Sequence, residues 1–207
     1  ASGCLSLYPV SAMKRKTDDR ALRIIGGSWR GRQISFADLE DIRPTPNRIR
    51  ETLFNWLSSV ILDARCLELF AGSGILSLEA LSRQAKEVMI IDQSPEVIEL
   101  IQQHLSRIGP HAKATLWCGA AEDWIRNFRH QHHATFDVVF VDPPFDTDVI
   151  PIICELLEQC QVLSTGASIY IESRTAARQE NLPANWQIHR QRKASHVHYC
   201  LCKRMDG

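Results

Sequence analysis

Cys66-Leu67-Glu68-Leu69-Phe70-Ala71-Gly72-Ser73-Gly74 starts as a short apolar run and closes on two glycines, and residues 74–83 after it have helical character. A strand that stops at a glycine turn and feeds a helix opens a strand–helix–strand unit. The same rhythm repeats downstream. Residues 88–91 form the next short apolar run, and Ser94-Pro95 starts a helix whose Val97, Ile101, Leu105 and Ile108 share one face; Ser caps helices well and Pro suits the first turn. Strands are expected at 114–118 and 136–141, and helices at 121–128 and 149–160. A strand at 168–172 and a closing pair at 186–190 and 197–202 complete the order. Brief apolar strands alternating with helices specify an α/β fold: a mostly parallel, doubly wound, Rossmann-like sheet covered on both faces. The closing pair should add an antiparallel edge.

Upstream of this core the pattern differs. Residues 1–20 lack an apolar period and read as a mobile tail. Residues 22–25 and 33–36 flank Gly26-Gly27 as a hairpin with Arg23, Trp29, Arg30 and Arg32 near its turn. Ile49, Leu53, Trp56, Leu57 and Val60 form one helical stripe after Pro44 and Pro46, with Thr45 or Asn47 available as cap. The expected organisation is a tail (1–20), a hairpin-and-helix segment (21–62) and a core (63–207).

The 207 residues hold 24 Lys and Arg against 24 Asp and Glu, but the charges are segregated. Residues 1–50 carry ten basic and five acidic side chains, 51–173 seven and seventeen, and 174–207 seven and two. If the two basic ends meet, they form the footprint of a polyanion partner; on opposite sides they merely aid solubility. No apolar run approaches the roughly 18 residues of a membrane span. The stretch 5–10 is too short and polar for a signal-peptide core. Seven cysteines without a Cys-x-x-Cys pair fit a reduced, cytoplasmic chain.

Glycines at a strand end let a ligand approach the backbone, and Glu68 can accept hydrogen bonds from a cationic amino group. Ser77 departs from the small residue a dinucleotide fingerprint wants, and an acid ahead of the glycines repels pyrophosphate. An ordinary strand-to-helix turn would need only the glycines. Asp92 ends the second strand, 18 residues after Gly74, where a carboxylate can accept both hydroxyls of a ribose; its alternative is helix-start electrostatics.

Phe140-Val141-Asp142-Pro143-Pro144-Phe145 carries the most information. By average composition such a string occurs in well under ~1% of chains this long. Two prolines stiffen the loop and leave their carbonyls without a ladder or helix to join. An exocyclic base amine shares its lone pair with the ring and is a poor nucleophile. Asp142 and the Pro143 carbonyl can accept its two N–H bonds, and Asp142 can stabilise the positive charge that grows during transfer. Phe145 can stack on the base, which must be unpaired or flipped to reach the loop. A plain proline turn is the alternative.

These strings resemble known motifs. Phe70-Ala71-Gly72-Ser73-Gly74 is similar to the first motif of class I S-adenosylmethionine-dependent methyltransferases, and Asp142-Pro143-Pro144-Phe145 to the loop of those acting on conjugated amines. The sequences Arg23-Ile24-Ile25-Gly26-Gly27, Trp29-Arg30-Gly31-Arg32, Arg43-Pro44-Thr45 and Arg50-Glu51-Thr52-Leu53-Phe54-Asn55-Trp56-Leu57 narrow the choice. They resemble the amino-terminal pattern of a bacterial family that methylates the 2-amino group of one guanine in 16S ribosomal RNA. The resemblance covers about residues 22–203.

It implies S-adenosylmethionine held by Glu68, Phe70, Gly72, Gly74, Asp92 and Ala121, with Asp142, Pro143, Pro144 and Phe145 catalytic and no metal. It further implies RNA contacts from Arg23, Trp29, Arg30 and Arg32, with Arg43, Thr45 and Arg50 lining the mouth of the site. The expected partner is 16S ribosomal RNA, within a small-subunit assembly particle, met by a monomer. Ala120 departs from the family's Asp or Asn at the adenine position, leaving Ala121 backbone groups, Glu122 or Asp123 to serve. Rival targets are adenine 6-amino groups and a protein glutamine amide. A nicotinamide oxidoreductase fits poorly with Ser77 and Glu68, and an RNA-binding module has no use for the diproline loop. His196, His198, Cys200 and Cys202 alternate on one strand, too far apart for one tetrahedral ion.

Overall fold

The computed structural model describes residues 21–35, 44–109, 112–131, 134–145 and 148–205. The expected tail 1–20, Phe36, Arg43, His132 and His133 lie outside the described residues.

The core is a sheet of β3 (Arg65–Glu68), β4 (Glu87–Asp92), β5 (Ala114–Cys118), β6 (Phe136–Val141), β7 (Leu163–Ser173), β8 (Trp186–Ala194) and β9 (Val197–Arg204). Their spatial order is β5-β4-β3-β6-β7-β9-β8. The strands from β5 to β7 are parallel, and β9 is antiparallel to both neighbours. This is the Rossmann-like arrangement expected, and the closing pair supplies its antiparallel edge: β9 inserts between β7 and β8, and β8 is the edge strand, antiparallel to β9. A hairpin pattern shows that two strands pair, but not which of them reaches back to β7.

Strand β7 also exceeds its expected five residues. It starts at Leu163 and shifts register against β6 between Phe136 and Val138. Polar Ser164 and Thr165, with Gly166 at φ +70°, interrupt the apolar pattern there and hide the strand's first part.

Both faces are covered. One cluster joins Cys66, Ile90, Val138, Tyr170 and Tyr199 of the sheet to α1 (Asn47–Trp56), α2 (Ile75–Ser82) and α3 (Pro95–Ile108). The other joins Leu67, Ile91, Val139 and Ile171 to α4 (Ala121–Gln131) and α5 (Ile150–Gln159). Period-two alternation within each strand sends successive side chains to the two clusters. The expected cap of α3 is present: the Ser94 hydroxyl accepts from the Val97 N–H at 3.2 Å. At α1 neither Thr45 nor Asn47 caps; Pro46 holds the position, and both side chains turn to other partners described below. Helix α4 runs through His130, past its expected end.

The amino-terminal hairpin, β1 (Ala21–Arg23) and β2 (Gln33–Ser35), is fastened to the core through its Gly26-Gly27 turn. The Ser28 N–H donates to the Ser82 carbonyl at 2.7 Å, and the Trp29 N–H to the Ser82 hydroxyl at 2.9 Å, so the turn closes the end of α2. A side chain at Gly27 (φ +75°) would meet the Ser82 carbonyl at 1.8 Å, so that position requires glycine.

The deeper anchor is Glu79 on α2. Its carboxylate accepts from the Arg50 guanidinium at 2.6 Å, from the Ile25 N–H at 2.7 Å and from Arg83. Arg50 also donates to the Arg23 carbonyl at 3.0 Å, the Thr45 carbonyl at 3.1 Å and Asn47. The ion-paired side chains of Arg50 and Glu79 are fully buried. Replacing Glu79 by Ala should strand a buried cation and cost about 3–5 kcal/mol in urea unfolding. Loss below 1 kcal/mol would mean that the pair does not organise the segment.

Candidate active site

Three carboxyl groups gather at the carboxyl ends of adjacent strands, where ligands of such sheets bind. Glu68 ends β3, Asp142 follows β6, and Glu172 lies one residue from the end of β7. Strand register makes them neighbours: Glu68 pairs with Phe140, and Val141 with Ile171. Glu68 and Glu172 are buried and Asp142 is half-buried.

Burial, then the charges of Glu172 and Glu68, hold the Asp142 carboxyl well above its ordinary range; the Thr45 hydroxyl, donating at 3.4 Å, opposes them. Burial pushes Glu172 up to about 7, against hydrogen bonds from the Tyr170 hydroxyl (2.7 Å) and Thr45. Burial pushes Glu68 up to about 8, against hydrogen bonding from Ser77, whose N–H lies 3.1 Å away. Crowded carboxyls that resist ionisation form a cluster suited to a cation.

Asp92 joins this cluster to its neighbouring loop. One carboxylate oxygen accepts from the Gly72 N–H and the other from the Ser94 N–H, each at 2.9 Å. It thus tethers the glycine turn to the start of α3, a role beside the ribose role expected of it. Gly72 has φ +49°. At Gly74 (φ +66°) an added side chain would strike Ile101 of α3 at 2.9 Å, so helix packing already uses the space it leaves. Phe70 is half-buried against the α4–α5 side, and Ala121 is buried at the start of α4. Before Ala121, the Gly119 N–H donates to the Asp92 carbonyl at 2.9 Å. Glu122 is half-buried and Asp123 exposed.

In the loop after β6, Pro143 is buried, Pro144 exposed and Phe145 half-buried. The site therefore brings together Glu68, Gly72, Asp92, Thr45 and Asp142.

The expected RNA-facing residues divide. Arg23, Arg30 and Arg32 are exposed, and Trp29 is half-buried against the core. Arg50 is corrected: with no exposed surface it cannot touch RNA, and instead holds the Thr45 backbone whose hydroxyl meets Asp142. The hairpin turn sits at the end of α2 opposite the glycine loop, about 12 Å away at the helical rise. Sequence reasoning missed Glu172 and Glu79. Glu172 ends an otherwise apolar run, but its neighbour becomes visible only when strand order sets β7 beside β6. Among the described residues no group of three or more His, Cys, Asp or Glu could hold a metal ion.

Residues 22–203 match the family described as Conserved hypothetical protein 95. The ribosomal RNA small subunit methyltransferase D of Escherichia coli (strain K12) is 42% identical over 186 residues, covering 88% of this chain and 90% of the relative. The Haemophilus influenzae protein of the same name is 36% identical, covering 87% and 92%. The chain belongs to the methyltransferase D family. Among solved structures, a putative methyltransferase of Escherichia coli superposes with TM-score 0.79 at 39% identity, over 90% of this chain and 99% of that one. A putative methyltransferase complexed with SAH shares the fold at TM-score 0.63 and 15% identity, over 75% and 48%.

In this methyltransferase D chain the carboxyl cluster has a signature in pH. The Glu172 charge raises Asp142, so Glu172→Gln should lower the Asp142 pKa and carry the acid limb of the activity profile to lower pH. An unmoved limb would separate the two carboxyls.

Proposed function

We propose that this chain transfers a methyl group from S-adenosylmethionine to the exocyclic 2-amino group of a guanine in small-subunit ribosomal RNA. The relatives' names support ribosomal RNA of the small subunit as substrate. The observation that carries the chemistry is Asp142, set on a diproline loop at the sheet's carboxyl edge and hydrogen-bonded by Thr45.

The residues present fit the donor. Glu68, Asp142 and Glu172 offer a cluster of carboxyls that would welcome a sulfonium and an ammonium and repel a pyrophosphate. Asp92, at the end of β4, stands where it can accept from ribose hydroxyls. Glu68 would receive the amino group, and the turn at Gly72 would bring backbone close to it. When bound, S-adenosylmethionine supplies a methyl group activated by positive sulfur.

This chain's residues do the rest. Asp142 and the Pro143 carbonyl accept the two N–H bonds of the guanine 2-amino group and turn its lone pair toward the methyl. Phe145 stacks on the base and holds it in line. As nitrogen gains positive charge, Asp142 stabilises it and is poised to take the released proton. In the ligand-free cluster burial and the neighbouring acids raise the Asp142 carboxyl above its ordinary range. A cation beside it favours ionisation, so donor binding prepares the group that accepts the amine.

Asp142→Ala should lower methyl transfer to transcribed small-subunit ribosomal RNA by about 10³-fold or more. Donor affinity, read by calorimetry, should stay within severalfold. Equal loss of both would assign Asp142 to donor binding alone, and mapping the label to a base position other than the guanine 2-amino group would overturn the target. Asp92→Ala, in contrast, should weaken donor binding by about tenfold or more, the cost of a charged hydrogen bond; unchanged affinity would remove Asp92 from the donor site.

A further inference from the structure

Edge strand β8 presents two arginines on the side of the sheet that carries the amino-terminal hairpin. Along β8, Arg190 pairs with Leu201, Arg192 with Tyr199 and Ala194 with Val197. Those partners belong to the cluster under α1, so Arg190 and Arg192 project on the α1 side, the side that also carries the hairpin. Gln191 and Lys193 project on the other side. Arg190 and Arg192 are exposed, and neither has an ion-pair partner among the described residues.

Register places this pair close to the chemistry. Val141 pairs with Ile171, Glu172 with Tyr199 and Tyr199 with Arg192, so Asp142 and Arg192 end one row across the sheet. At ordinary strand spacing the Arg192 Cα is about 10 Å from that of Glu172 and about 14 Å from that of Asp142. The Trp56 ring occupies the gap, half-exposed and stacked on Tyr199 with centroids 5.5 Å apart. The hairpin turn with Arg30 and Arg32 closes the far end of α2 instead.

We propose that Arg190 and Arg192 grip backbone phosphates of the RNA immediately beside the target nucleotide, making the α1 side of edge strand β8 a second RNA contact. This rests on the RNA-methyltransferase reading above. A guanidinium suits phosphate through its planar fork, and the Gln179 side chain that covers the outer edge of β8 does so at Trp186 and Ile188, short of Arg190 and Arg192. Edge strands also carry charge to deter pairing with other strands. That purpose is served by cations on either side, whereas the RNA contact needs the two on the α1 side.

The test compares Arg190→Ala/Arg192→Ala with Arg126→Ala/Lys193→Ala, which removes equal charge from the α4 side. Binding of each to transcribed small-subunit ribosomal RNA is measured across salt, with methyl transfer followed separately. The first variant should bind about tenfold more weakly at low salt and show a salt slope shallower by about 1.4, the value for two lost single-strand contacts. Its KM for RNA should rise while kcat at saturating RNA is kept. The control should match wild type. Arg192→Glu should weaken binding further than Arg192→Ala. An unchanged slope in the first variant, or equal loss in the control, overturns the proposal. If wild type binds RNA with the expected slope but transfers no methyl group, the catalytic reading fails and the contact stands.

Discussion

The Arg50–Glu79 ion pair is the contact through which the amino-terminal segment becomes part of the catalytic domain. Glu79 receives the Ile25 backbone just after β1 and two guanidinium groups, while Arg50 spreads its donors over β1, the loop before α1 and Asn47. Burial pulls the Arg50 guanidinium below its ordinary value against the attraction of Glu79, the sign of a charge that water does not reach. Desolvating two ions is costly, and the cost is tolerable only when nearly every donor and acceptor has a partner. A segment held this way has one position on the core. That fixed position is what sets Thr45 against Asp142.

The Thr45 contact explains why the hairpin and helix accompany the sheet. Asp142 sits among acids that raise its pKa, and the Thr45 hydroxyl is the hydrogen bond that favours its ionised form. The same hydroxyl also favours ionised Glu172. One side chain from the amino-terminal segment therefore tunes two carboxyls of the sheet. The Arg50 guanidinium thus links the Arg23 backbone of the hairpin to the Thr45 backbone, whose side-chain hydroxyl donates to Asp142.

Much of this was legible in the sequence because strand–helix alternation and apolar periodicity are local. The β3 glycine turn, the Ser94 cap of α3 and the diproline loop all lie where their residues indicated. What stayed hidden depends on partners distant in the chain. Arg50 reads as an RNA contact beside other arginines until Glu79, 29 residues on, is seen to bury it. Glu172 reads as the polar end of a strand until β7 is laid against β6. The insertion of β9 between β7 and β8 is likewise a fact of sheet order, to which hairpin periodicity is blind.

Charge segregation then has a structural cause. The acidic middle of the chain supplies Glu68, Asp142 and Glu172 at the strand ends, while the described basic residues of the two ends include Arg23, Arg30 and Arg32 of the hairpin and Arg190 and Arg192, which project from the edge strand on the α1 side. A cationic donor and a polyanionic acceptor make opposite electrostatic demands on one small protein. A mixed surface would satisfy neither, because charges of both signs within a Debye length cancel. Burying Glu68 and Glu172 confines their field to short range, while Arg23, Arg30, Arg32, Arg190 and Arg192 stand exposed to water, so the two demands are met by groups at different depths.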